Sequence, residues 1–411
     1  MINILAIDTG NTAWMLVCAA MVFLMTPGLA FFYAGLTRKK NIINTMMMSY
    51  IALAIVTIQW VVIGYSIAFG PSFWGIIGGP QYLGLIGINI YNGSVYVDSI
   101  PFFAFLLFQL MFAIICAAII SSAFAERMKF GAVMLFFILW TTFVYDLVAH
   151  WIWNLGGFLR ALGALDFAGG MVIHISAGFS ALVVALILGK RKDFQKHEIS
   201  PHSIPYVLLG TGLLWFGWFA FNAGSALTAG GLATNAFLGT IVSGCAGGLV
   251  WMTLNWRKGK PSAIGFASGV LAGLASVTPA VGYVGTMEAL IIGIVAGFIC
   301  FHAVELRLKY LKVDESLDAW AIHGAGGVWG TIALGLFASM WINPNGTWGL
   351  IYGNVYFFLI QLLAIGVTIG VSMGVTALIM LALKYTIGIR VEEIEEYVGL
   401  DISEHGEVAI S

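Results

Sequence analysis

Seventeen of the eighteen Lys and Arg residues in this 411-residue chain fall in alternate gaps between long apolar segments. They cluster as Arg38-Lys39-Lys40, Arg127 with Lys129, Lys190-Arg191-Lys192 with Lys196, Arg257-Lys258 with Lys260, Arg307 with Lys309 and Lys312, and Lys384 with Arg390. The intervening gaps, near residues 70–99, 223–235, 280–286 and 341–352, carry none, and Arg160 is the one exception. Basic residues are retained on the cytoplasmic side of a bilayer. The pattern therefore predicts a membrane-spanning chain in which every apolar segment that ends in a basic cluster runs from outside to inside.

Composition agrees. Hydrophobic residues make up 60% of the chain and charged residues 9%, against about 25% charged in soluble proteins. A span needs roughly 20 apolar residues to cross about 30 Å of hydrocarbon. Eleven stretches meet that need: about 11–36, 41–69, 101–125, 129–151, 168–189, 203–222, 233–256, 261–280, 286–309, 319–342 and 352–385. The expected fold is an all-α integral membrane protein with its N-terminus outside and its C-terminus inside. The first ten residues lack a basic n-region and the apolar run after them is too long for an h-region, so no cleavable signal is expected. A net charge of −1 gives no reason to expect nucleic acid. Cys18, Cys116, Cys245 and Cys300 lie inside apolar stretches at no metal-ligand spacing, which favours packing roles over a metal or a disulfide. No phosphate-loop motif is present, so ATP hydrolysis is not expected.

The spans divide into five, five and one. An odd repeat unit must insert its two copies with opposite topology. Repeat one would cover about 11–189, repeat two about 203–342, and an extra helix about 352–385. Together residues 1–385 would form the membrane domain and 386–411 a cytoplasmic tail. The fifth stretch opens Asp166-Phe-Ala-Gly-Gly-Met-Val-Ile-His174, and the tenth opens Asp318-Ala-Trp-Ala-Ile-His323-Gly-Ala-Gly-Gly. Each places an Asp first, a His one to two turns deeper and a Gly-Gly nearby. The two His would reach the bilayer centre from opposite sides.

Ionisable groups inside a membrane are costly and are functional candidates by default. His174 and His323 have three readings: neutral core histidines bonded to neighbouring backbone, a metal pair, or a pair that handles protons or substrate. No third ligand sits at metal spacing, and imidazole both donates and accepts near neutral pH, so the last is favoured. Asp166 and Asp318 read first as helix N-caps. Trp151, Trp153, Trp215, Trp218, Phe219 and Phe221 crowd the expected outer ends, where an interfacial aromatic belt is the ordinary explanation. Trp153 differs: it follows His150 and precedes Gly156-Gly157, so its ring could face a vestibule and attract a small cation. Ser225 ends the sixth stretch on the same side with a hydroxyl able to accept from N–H donors.

These residues resemble the ammonium transporter (Amt/Mep/Rh) family over essentially the whole length. The matching stretches are Met25-Thr-Pro-Gly-Leu-Ala-Phe-Phe-Tyr33-Ala-Gly-Leu, Ala123-Phe-Ala-Glu126-Arg127, Gly163-Ala-Leu-Asp166 through His174, Trp218-Phe-Ala-Phe221-Asn222-Ala-Gly-Ser225-Ala, Val277-Thr-Pro-Ala-Val-Gly-Tyr283, and His323-Gly-Ala-Gly-Gly. The Trp and Ser argue for the ammonium-transporter branch over the Rhesus branch. The resemblance implies a homotrimer in the cell membrane with a pore in each subunit, no cofactor and no enzymatic step. It implies an outer recruitment site at Phe112, Trp153 and Ser225 supported by Asp166, and stacked Phe112 and Phe221 closing the pore, with Phe108 one turn away. It implies a twin-histidine pair at His174 and His323, and inner lining at Leu29 and Ala319. The tail after about Arg390 resembles the family's regulatory tail, where many relatives bind PII-type signalling proteins, and in a trimer one subunit's tail would touch the next. The loop from His150 to Asp166 is one residue longer than the family pattern.

An apolar pore penalises any bare ion, but ammonium can shed a proton and cross as ammonia while potassium cannot. The expected function is therefore uptake of ammonium or ammonia, and of methylammonium. A membrane enzyme or receptor would need a third catalytic group or a cofactor motif. A sensor would need more than a tail of about twenty-five residues.

Overall fold

The computed structural model describes residues 7–196 and 200–409. Within them the chain is overwhelmingly helical, and the one sheet is a hairpin pairing Ser72–Phe73 with Ile77–Gly78. Helix is what hydrocarbon demands, because every backbone N–H and C=O must find its partner inside the segment. Among the described residues nine helices are long and apolar enough to cross a membrane: Thr9–Leu36, Lys39–Phe69, Phe102–Ala123, Phe130–Ala161, Gly170–Leu188, Ile204–Gly224, Gly231–Lys258, Thr286–Leu311 and Val355–Thr386. The two other expected stretches hold helices as well. One is Ala263–Val277, of 15 residues. The other is a π-turn, Trp320–Ala325, that runs on into Gly326–Phe337.

Local sequence sets the ends. The Asp8 side chain accepts from the Asn11 N–H at 2.6 Å and caps the first helix. That helix breaks at Leu24, where Pro27 supplies no N–H to the preceding turn. Ser203 and Ser262 cap the helices they precede. Small residues line the seam between Gly231–Lys258 and Ala263–Val277, close enough for the Ser243 hydroxyl to donate to the Gly273 carbonyl at 2.8 Å. With no hydrophobic drive between helices in lipid, such close approach supplies the packing.

Three of the basic clusters, those of Arg38, Arg127 and Arg191, meet through shared acidic residues. Buried Glu126 accepts from Arg38 at 2.7 Å and Arg191 at 2.9 Å. Arg191 also pairs with Asp314, and Arg38 with Asp193, each at 2.8 Å. Arg127, fully buried, donates to the Gly189 carbonyl, the Ser316 hydroxyl and the Asp314 carbonyl. Burial alone would raise the Glu126 pKa, but Arg191 and Arg38 outweigh it and hold the carboxyl at about 2.

The tail is ordered rather than a solvated terminus. It forms two short helices, Glu393–Val398 and Leu400–His405. Lys40 Nζ donates to the carbonyls of Glu396 and Tyr397 at 2.9 and 2.5 Å. Asp401 accepts from the Asn44 N–H at 2.8 Å, and Arg390 pairs with Glu396 at 2.7 Å.

Candidate functional site

Asp166 caps a helix start. Its two carboxylate oxygens accept from the N–H groups of Gly169, Gly170, Met171 and Val172 at 2.7–3.1 Å. One side chain thus satisfies the free donors of a helix start that lies inside protein. The turn requires Gly169 at φ 115°, a region glycine occupies freely. His174 follows in a π-turn, Gly170–Ile175, and His323 sits in a second π-turn, Trp320–Ala325. Such turns are rare and concentrate at functional sites.

Asp318 does not cap its helix. It sits at φ 63° with its carboxylate 2.5 Å from Arg307, while the Trp320 N–H donates to Glu315 Oε2 at 3.2 Å. A buried guanidinium needs a counter-charge more than a helix start needs this particular cap, so the carboxylate turns to Arg307 and Glu315 takes its place.

The two histidine helices cross at glycines. A Cβ on Gly178 would collide with the backbone of Gly324. This approach brings His174 Nδ1 to 3.2 Å from His323 Nδ1, with ring centroids 5.1 Å apart and planes 28° from parallel. Both side chains are buried, at 1% and 4% exposure. Two facing ring nitrogens bond only when one carries the proton and the other does not. In the neutral pair, one imidazole is therefore protonated on Nδ1 and the other on Nε2. His174 Nε2 has no partner among the described residues.

The pair lines a narrow cavity whose other walls are Met25, Leu29, Ile115, Ile119, Ile173, Leu214, Trp218, Phe221 and Leu271. It offers about 10 Å³ to a small molecule, close to the roughly 10–15 Å³ that a single water needs. Leu29 is in its wall, whereas Ala319 is buried just ahead of the second π-turn, outside this lining. Trp218, expected in an interfacial belt, is instead 2% exposed and stacks on both imidazoles, with centroids 5.4 Å from His174 and 6.4 Å from His323. Its indole N–H donates to the Thr278 hydroxyl at 2.9 Å. The spacing from Trp218 to Phe221, one helical turn, was the available signal: a residue at that offset shares the face that meets the histidines.

Phe221 and Phe112 stack at 4.3 Å and separate this cavity from a second one. Phe108 packs behind Phe112 at 4.6 Å and lines neither. The second cavity, of about 140 Å³, is walled by Phe112, Trp153, Ser225, Gln109 and Arg160 among others. The Trp153 ring lies 5.8 Å from Phe112, and its N–H donates to the Asp166 carbonyl at 2.8 Å. Asp166 thus positions Trp153 through its backbone while its carboxylate faces the helix start. The Ser225 hydroxyl donates to the Phe221 carbonyl at 2.8 Å, leaving its oxygen to accept. Gln109 and Arg160 were not anticipated as walls: Gln109 is a lone polar residue in an apolar run, and Arg160 lies on a short helix, Phe158–Ala161.

This arrangement defines a multi-pass membrane protein with a buried imidazole pair in the wall of one of two small cavities. Residues 13–410 match the profile of the Ammonium Transporter Family. The chain is 48% identical to ammonium transporter Amt1 of Archaeoglobus fulgidus over 97% of its own length and 99% of that protein, and 47% identical to the ammonium transporter of Bacillus subtilis over 97% and 98%. The crystal structure of Saccharomyces cerevisiae Mep2 superposes with a TM-score of 0.88 at 36% identity, covering 94% of this chain and 91% of that one. A structure described as a sensor Amt protein does so at 0.88 and 28% identity, covering 96% and 98%. The chain belongs to the Ammonium Transporter Family. Its relatives are transporters, not enzymes.

Proposed function

We propose that the chain crosses the cell membrane eleven times, N-terminus outside and C-terminus inside, and takes up ammonium through a pore in each subunit of a homotrimer. In this reading residues 1–385 are the transport domain, built from two inverted five-helix repeats and an extra helix, and 386–411 are a regulatory tail. The observation that carries the proposal is the His174–His323 contact at 3.2 Å inside a cavity of about 10 Å³ with otherwise apolar walls.

Ammonium arrives at the 140 Å³ cavity, the outer one under the positive-inside rule. The ring faces of Trp153 and Phe112 attract it without a carboxylate, and the Ser225 oxygen accepts one of its N–H groups. Phe112 and Phe221 bar the way to a hydrated ion. Stripping the water costs a bare cation several kcal/mol, and desolvation favours the neutral amine. Ammonia then passes the rings and meets the imidazoles. One Nε2 is bare and accepts an ammonia N–H; the other carries a proton and donates to the ammonia lone pair. The released proton follows through the linked imidazoles or returns outside. Leu29 and Ala319 line the inner path, and the docked tail offers a PII-type signalling protein a cytoplasmic surface. Uptake of radiolabelled methylammonium into proteoliposomes tests the function. Equal uptake by empty vesicles and by vesicles with protein would overturn it.

A further inference from the structure

Arg160 is the one basic residue outside the six clusters. It lines the same cavity as Trp153, Phe112 and Ser225, and its Nη1 donates to the Trp153 carbonyl at 2.6 Å. None of the ion pairs among the described residues includes it. Asp166, the carboxylate nearest to it in the chain between these helices, commits both oxygens to backbone N–H groups. A guanidinium does not shed its proton in a protein. A solvent-exposed positive charge with no ion-pair partner among the described residues therefore stands in the wall of a cavity whose other walls suit a cation.

We propose that Arg160 sets the affinity for ammonium at this cavity by opposing it: the charge keeps occupancy below what Trp153, Phe112 and Ser225 would give alone. The inference rests on the recruitment role proposed above. A cavity of 140 Å³ is only a few ångströms across, so guest and guanidinium lie within one screening length of each other at physiological salt. The ring faces act only at contact, whereas the charge acts along the whole approach. Its sign decides what it does. It penalises ammonium while the proton is present and leaves ammonia untouched, so it favours the neutral form at the pore mouth. A divalent cation meets twice the repulsion energy, which squares the exclusion factor.

Methylammonium-driven currents in proteoliposomes, measured against concentration at low and high ionic strength set with N-methylglucamine chloride, test this. At about 10 mM salt, where the screening length is roughly 30 Å, Arg160→Gln is expected to lower KM about three- to tenfold. The Gln side chain keeps an N–H donor for the Trp153 carbonyl, so positioning is largely preserved. Arg160→Lys is expected to stay near the parent protein. The difference should shrink at about 1 M salt, where the screening length is roughly 3 Å. The unmodified protein supplies an arm that needs no variant: its KM should fall as salt rises. An unchanged KM in Arg160→Gln, or a shift equal at both salts, overturns the inference. Trp153→Leu separates the two levels. If it raises KM while Arg160→Gln does nothing, recruitment stands and the role of Arg160 falls; if neither moves KM, the recruitment site falls as well.

Discussion

The Nδ1 atoms of His174 and His323 stand 3.2 Å apart although 149 positions separate the residues in the chain. Two helices deliver them, each with its imidazole on a π-turn, and the Gly178–Gly324 crossing sets the distance. Replacing either His with Ala should abolish ammonium-driven current while the protein remains folded by size-exclusion chromatography. Undiminished current in both single variants would remove the relay from the mechanism.

Trp153 presents its ring to the cavity beside Phe112 and is held there by the Asp166 carbonyl. Loss of one desolvated cation–π face, about 1–2 kcal/mol, corresponds to roughly a five- to thirtyfold rise in KM for Trp153→Leu. The concentration dependence of methylammonium current checks this. An unaltered KM would return Trp153 to a purely interfacial role.

Gly178 has no room for a side chain against Gly324. Gly178→Val should force the histidine helices apart and destabilise the fold by about 1–3 kcal/mol, the usual range for overpacking. A thermal melt in detergent reads the stability, and loss of transport should accompany the fall in Tm.

Glu126 is the hub of the charged end, with a carboxyl at about 2 in the folded chain. Its pKa is depressed on folding, so its contribution is present above the unfolded carboxyl range near 4.3 and is lost as pH falls from there toward 2. The shift corresponds to about 3 kcal/mol. Glu126→Gln should therefore destabilise the protein at neutral pH by about that amount, and the deficit relative to the parent should narrow as pH drops through this window. Melting curves at pH 7 and pH 3 would show it, and an equal deficit at both would contradict the charge-based account.

The tail docks through Lys40, Asn44 and Arg390. Removing residues after Arg390 should lower transport without preventing assembly, because the tail's partners Lys40 and Asn44 lie at the start of a helix rather than in the middle of the bundle. Flux and oligomeric state measured on the same truncated preparation check it. Full activity would make the tail dispensable.

Much of this was legible in the sequence because the bilayer leaves few choices. Apolar length and the alternation of basic clusters located the helices, including those on the two stretches that are shorter or less apolar. The signature around Asp166 and His174 gave the cap and the imidazole, since an N-cap is a local contact between near neighbours. Asp318, in a similar setting, misled: its partner Arg307 lies on another helix, and a charge pair outcompetes the local cap. Trp218 misled for a related reason. Aromatics at helix ends ordinarily face the interface, and the one-turn offset from Phe221 marks the shared face without showing that this ring stacks on imidazoles.

The sequence by itself determined that the chain is helical, membrane-spanning and equipped with two intramembrane histidines, because desolvation of backbone and charge acts on each segment separately. Tertiary structure decided how closely the two imidazoles approach, that Trp218 stacks on them, and that Arg160 shares a cavity with Trp153. Those relationships depend on how closely helices distant in sequence approach, and that is set by side-chain volume at their crossings rather than by any pattern along one segment.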